Sequence, residues 1–122
     1  MTTPPSAYRQ LEIWWVDLEP VRGAETQKQR PCVVVQADLV NLKSRTVIVA
    51  PLLPEHKDWP FAVNIEPSRE NGLDKERHLN LKQLRAVDTS QLSNVFSNRQ
   101  GVLEKKYLQP IHGALKTVFG IE

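Results

Sequence analysis

Four runs of β-branched or aromatic residues are each bounded by proline, and this punctuation sets the scale of what the chain can build. The run up to Leu18 stops at Pro20, and Cys32–Val35 starts after Pro31. Thr46–Ala50 meets Pro51 and Pro54, and Phe61–Ile65 starts after Pro60. Proline has no backbone N–H and a fixed φ, so neither a long helix nor a long central strand passes through it easily. Nine prolines and five glycines point the same way, to many short elements rather than a helical bundle.

The first strand is predicted from Gln10 to Leu18. Alternation puts Ile13 and Trp15 on one face and Trp14, Val16 and Leu18 on the other. Apolar residues on both faces suit a strand inside a barrel or beneath a partner. A second strand is predicted over Cys32–Gln36, opened by Pro31, and a third over Thr46–Ala50, halted by Pro51. Between them Asp38 is placed to cap one short turn through Asn41. Phe61 to Glu66 alternates as a half-exposed strand does. Asn71-Gly72 marks a turn. Strand character returns from His78 to Val87, and a further short strand is expected over 93–98.

The end of the chain has a different period. Leu103, Tyr107, Ile111, Leu115 and Val118 recur at helical spacing, which predicts a helix to Phe119 closed by Gly120. Pro110 falls inside it, so the helix kinks there or its regular part begins near residue 109. Short strands followed by one helix predict a small, mainly β barrel with a packed C-terminal helix. Residues 1–9 read as a flexible N-terminal arm and residues 10–122 as a single domain, since 122 residues suffice for one core. Cys32 is the sole cysteine, which excludes a disulfide framework. No run approaches the ~18 apolar residues of a membrane span. The opening residues, with Pro4 and Pro5 and no basic run, do not read as a signal peptide. A cytoplasmic setting is expected.

Two segments concentrate chemistry. Between Val21 and Pro31 stand Arg22, Lys28 and Arg30, with Glu25 as the one acid and Gly23 permitting a tight turn. A guanidinium at a loop–strand junction can hold a phosphate through two parallel hydrogen bonds and stabilise charge that builds on it. Glu25 could take a proton from a ribose hydroxyl. A solvated loop with an ordinary ion pair is the other reading of the same residues. The second segment runs from His78 to Asp88. As one strand it would place His78, Asn80, Lys82 and Leu84 on one face and Leu79, Leu81, Gln83 and Arg85 on the other. His56, His78 and His112 have no paired spacing, and no metal or cofactor is expected. Cys32 reads as a small buried hydrophobe. Trp14 and Trp15 read as core or dimer anchors, and Trp59, in a loop between prolines, as a platform for a base.

These segments together resemble the MazF/PemK toxin family, from Gln10 to Gly120. Glu12-Ile13-Trp14-Trp15-Val16-Asp17-Leu18-Glu19-Pro20 is similar to the family's opening. Gly23-Ala24-Glu25 and Arg30-Pro31-Cys32-Val33-Val34-Val35 follow in order. Thr46 to Leu52 resembles the family's third strand, and Gln83-Leu84-Arg85-Ala86-Val87-Asp88 a later one. The resemblance implies an SH3-like β barrel with a C-terminal helix, of the MazF/PemK/CcdB kind, that forms a homodimer. It implies a metal-independent endoribonuclease that cleaves single-stranded RNA, mainly mRNA, at short motifs, leaving a 2′,3′-cyclic phosphate. A MazE-type antitoxin is the implied partner, with operon DNA reached only through it and no membrane role. Arg30 matches the catalytic arginine and Glu25 the acid of the same loop. Thr26, Gln27, Lys28, His56, Trp59, Lys82, Gln83 and Arg85 are the expected RNA contacts. Leu53 stands where the family usually has Ser or Thr, and it cannot bond a phosphate.

That departure motivates a second reading, a non-catalytic member that binds RNA or an antitoxin-like peptide. A third, a protein-directed toxin of the CcdB type, finds little in the Glu25–Arg30 loop. Charge is consistent with an anionic ligand. The whole chain is +2, but residues 22–30 carry +2 and residues 75–85 carry +3, leaving the remainder near −3. A near-neutral total thus hides local basic stretches.

Overall fold

The computed structural model describes residues 8–17, 29–88 and 99–122. Its organising element is a nine-residue strand, β3 (Thr46–Pro54). Before it come β1 (Glu12–Asp17), β2 (Gln29–Val34) and the single-turn helix α1 (Asp38–Asn41). After it come β4 (Ala62–Ile65), β5 (Arg77–Asn80), a 3-10 turn (Leu81–Gln83), β6 (Arg85–Asp88) and β7 (Arg99–Val102). A second 3-10 turn (Lys105–Tyr107) leads into α2 (Leu108–Phe119). The strands form one sheet in the order β4-β5-β3-β2-β1-β7, with β6 also on β3. The architecture is the mainly β fold with a terminal helix that the sequence predicts.

Pro51 does not halt the third strand. One edge of β3 pairs with β6 over Thr46–Val49, then with β5 over Leu52–Pro54. Pro51 lies between those two ladders, so its missing N–H interrupts neither. Pro31 likewise sits inside β2, opposite Trp15, while the β2–β3 ladder begins only at Cys32↔Pro51. The strand expected from His78 to Val87 is two strands. Asn80 Oδ1 accepts the Lys82 N–H at 3.0 Å and the Leu81 N–H reaches the Phe61 carbonyl at 3.0 Å, which winds residues 81–83 into a turn. This breaks the alternation that would have put Gln83 and Arg85 on one strand face. Asp38 is in the first turn of α1 rather than its cap, and its Oδ1 accepts the Gln10 N–H at 2.7 Å. The strand expected over 93–98 lies outside the described residues.

At the end of the chain Pro110 is the third residue of α2, where an N–H would have no helical partner anyway. Gly120 adopts φ 68°, and the N–H of Ile121 closes the helix on the Lys116 carbonyl at 2.8 Å. At the predicted turn Asn71 is fully buried. Its amide donates to the Glu66 carbonyl at 2.9 Å, and its Oδ1 accepts the N–H groups of Ser68 and Leu73 at 3.0 Å. The last two residues of the expected arm are tied down. Tyr8 is buried, and the Arg9 N–H donates to Glu12 Oε1 at 2.7 Å.

Alternation along the strands sorts the core into two clusters. One holds Ile13, Val33, Ala50, Leu52, Val63, Ile65 and Leu79, together with Ile111 and Ala114 of α2. The other holds Tyr8, Trp14, Val16, Cys32, Val34, Val47, Val49 and Val87. Trp14 is therefore core within this one chain, with its Nε1 donating to Glu12 Oε1 at 3.2 Å, and it gives no argument for a partner subunit.

Candidate functional site

Arg30 projects from the face of β2 that carries Cys32 and Val34, opposite Val16 on β1. Arg85 projects from the same side of the sheet, opposite Val49 on β3. Cys32 lies between them and reports both. Burial pushes its thiol up to about 12, although Arg30 and, less strongly, Arg85 pull it down. A thiol so protonated is no nucleophile near neutral pH. Its Sγ instead donates to the Arg30 carbonyl at 3.6 Å. Two permanent cations at the margin of an apolar face form a place for an anion, and a guanidinium's forked donors suit a phosphate.

The same face continues beyond β3. Cys32 is opposite Pro51, and Leu53 is the next residue on that side of β3. Leu53 is opposite His78 on β5, and His78 opposite Asn64 on β4. Arg30 stands two residues beyond the end of the β2–β3 ladder and Leu53 two residues beyond it on β3, so this face runs from Arg30 toward the half-buried Leu53 and on to His78.

His78 is 3% exposed. Its Nδ1 is 2.9 Å from the Glu55 carbonyl oxygen, which only accepts, so Nδ1 carries the hydrogen. That bond holds Glu55 at φ 76°, a strained value for a residue other than glycine. The chain then leaves β3 and carries Trp59 back over His78, with the two rings edge to face at 5.5 Å. Trp59 stacks on Phe61 at 5.2 Å and 24°. Lys57 Nζ lies 5.2 Å from the Trp59 ring and Lys82 Nζ 5.6 Å from the Phe61 ring. Trp59 is still 41% exposed.

His56 belongs to the lacing of this loop. Its Nε2 meets Asp58 at 2.7 Å and its Nδ1 meets Glu76 at 3.2 Å. Hydrogen bonds to Asp58 and then Glu76 raise its pKa above the ordinary histidine value. The Asn64 side chain accepts the Lys57 N–H and donates to the Lys57 carbonyl, both at 2.9 Å. Among the described residues no group of three or more His, Cys, Asp or Glu could hold a metal ion.

The expected site residues therefore fall into separate sets. Arg30 and Arg85 come together around Cys32. Trp59, Lys82 and His56 come together on the β3–β4 loop and its neighbours. Gln83 is exposed on the 3-10 turn. Glu25, Thr26, Gln27 and Lys28 lie outside the described residues. Arg77 leaves the basic stretch, because its guanidinium turns to the Leu52 carbonyl at 3.4 Å and to Asp74 at 3.9 Å. Lys57 and Phe61 were missed, although their i, i+2, i+4 spacing with Trp59 is the period that puts side chains on one side of an extended segment.

This sheet, with a helix on one face and two arginines on the other, is a small mainly β frame of a kind shared with known proteins. The family described as "PemK-like, MazF-like toxin of type II toxin-antitoxin system" matches residues 9–119, and the chain belongs to it. The chain is 31% identical over 115 residues to Endoribonuclease MazF of Staphylococcus saprophyticus, covering 93% of this chain and 92% of that protein. It is 36% identical over 90 residues to Endoribonuclease MazF9 of Mycobacterium tuberculosis, covering 69% and 75%. A crystal structure of MazE-MazF from Deinococcus radiodurans shares the fold, with TM-score 0.75, 19% identity and 95% and 98% coverage.

Proposed function

We propose that this protein is the toxin of a type II toxin–antitoxin pair and acts as a metal-independent endoribonuclease on single-stranded RNA. The observation that carries the reading is the pairing of family membership with Arg30 on the open face, beside Arg85 and Cys32. Arg30 holds a non-bridging oxygen of the scissile phosphate and stabilises the charge that gathers there. Glu25 takes the proton of the neighbouring 2′-hydroxyl, whose oxygen attacks phosphorus. The bond to O5′ breaks, giving a 2′,3′-cyclic phosphate and, after protonation, a 5′-hydroxyl. Lys28, Lys82 and Arg85 neutralise the flanking backbone, while Thr26, Gln27 and Gln83 bond to bases or sugars. His56, exposed on the loop it ties, is a further RNA contact.

The non-catalytic alternative rests on Leu53, but a hydroxyl there would only supplement the guanidinium charge, and the relatives named endoribonucleases favour cleavage. The same reading gives the protein a MazE-type antitoxin as partner, a homodimeric state, contact with operon DNA only through the antitoxin, and a place in the cytoplasm, where mRNA is. The described residues contain no helix long and apolar enough to cross a membrane.

The test incubates purified protein with a long single-stranded RNA in EDTA, beside the same RNA annealed to its complement. Cleavage of the single strand into fragments with 5′-hydroxyl ends is expected. Binding that weakens with salt but yields no product would overturn the nuclease reading in favour of the non-catalytic one.

A further inference from the structure

We infer that Leu53 and Trp59 together form the subsite for an unpaired RNA base next to the scissile phosphate, and that this subsite sets which nucleotide stands beside the cut. The inference rests on the ribonuclease reading and adds to it the residues that select the substrate. Leu53 presents alkyl surface on the track between Arg30 and His78, where a hydroxyl would have offered a phosphate a bond. A base offers a ring face, which that surface and an indole can both cover. Trp59 follows beyond His78, 41% exposed, stacked on Phe61 and edge to face with His78.

Three features mark the indole as fixed in place before RNA arrives. The Glu55 carbonyl is held by His78, the Lys57 backbone is held at both its polar groups by Asn64, and His56 ties Asp58 to Glu76. An exposed tryptophan fixed in this way loses little side-chain freedom when a base stacks on it. Lys57 Nζ lies over the ring, and its flexible side chain would swing aside to the adjoining phosphate when a base stacks. The order of Arg30 on β2, Leu53 on β3 and His78 on β5, adjoining strands with these side chains on one face, places the subsite beside the phosphate site.

The test measures cleavage of single-stranded RNA by the wild type, Trp59→Ala and Trp59→Phe, with sequencing of the new 5′ ends. Trp59→Ala is expected to raise KM about five- to hundred-fold, the usual cost of losing one stacked base, and to flatten the base preference at one position beside the cut. Trp59→Phe should restore most of both. An RNA with an abasic nucleotide at that position should cost the wild type what Trp59→Ala costs, and should cost Trp59→Ala nothing further. An unchanged motif and KM in Trp59→Ala, or fully additive losses with the abasic RNA, would overturn the subsite. Fluorescence anisotropy in the Arg30→Ala background separates this from the nuclease reading. If the wild type cuts nothing, the nuclease reading falls, and the subsite stands only if Trp59→Ala still weakens RNA binding by a similar factor.

Discussion

The face of the sheet under α2 and the face that carries Arg30 are made by alternate residues of the same strands, yet they differ in what surrounds their apolar centres. Under the helix, Leu52, Leu79, Val63 and Ile65 meet Ile111 and Ala114, and Arg77, opposite Ile65, turns its guanidinium to the Leu52 carbonyl and to Asp74. On the other face, Val16, Cys32 and Val49 are bordered by Arg30 and Arg85, and the same side continues past Leu53 to His78 and Asn64. Arg30 is half-buried and Arg85 exposed, so both guanidiniums stay within reach of an anionic ligand. On the proposed function, one period-2 pattern separates the residues that hold the fold from those that handle the ligand.

Substitutions can break or sharpen this division, and the largest effect belongs to the helix side. Leu79→Ala, at a fully buried site, is expected to lower stability by about 2–5 kcal/mol, read as a fall in the urea midpoint. Asn71→Ala should cost about 1–3 kcal/mol, because the Ser68 and Leu73 N–H groups lose their acceptor. Neither should change the RNA motif in whatever fraction stays folded.

On the other face the effects on stability depend on pH. Cys32 should resist thiol reagents at pH 8 in the native protein and react once it is unfolded. Its folded pKa lies above the ordinary 9.0, so the native state keeps a proton that the unfolded chain releases. Stability should therefore fall as pH rises from about 9 toward about 12. His56 gives the smallest effect, since it is exposed. Its raised pKa means that its tie to Asp58 and Glu76 is fully present below the ordinary histidine range and is lost as pH rises through the raised value. Hydrogen exchange at the Lys57 amide should quicken over that rise, and His56→Ala should exchange quickly throughout.

The sequence made the helix side legible more readily than the ligand side. Period 2 in Phe61–Glu66 and period 3.6 after Leu103 report burial directly, and Asn71-Gly72 reports its turn. Pro51 misled because its effect depends on which ladder lies beside it, and that is decided by β5 and β6, far along the chain. The turn at Leu81–Gln83 escaped because it depends on the Asn80 side chain and the Phe61 carbonyl rather than on any period. β7 escaped because Arg99-Gln100-Gly101-Val102 has almost no apolar pattern. Its Gly101 is required by packing, since a Cβ there would lie 2.5 Å from the Glu70 carbonyl oxygen. Of the site, Arg30 was visible through resemblance, and Trp59 through its place between prolines. Its support by Phe61, Lys57 and His78 needed the strands assembled.

The most direct test of the division of labour is Arg30→Ala, measured for both RNA cleavage and urea midpoint in the same preparation. The expected result is a cleavage rate lower by about 10²–10³ with stability, read from the urea curve, unchanged within about 0.5 kcal/mol. Cleavage at the wild-type rate, or a loss that follows a fall in the midpoint, would contradict it.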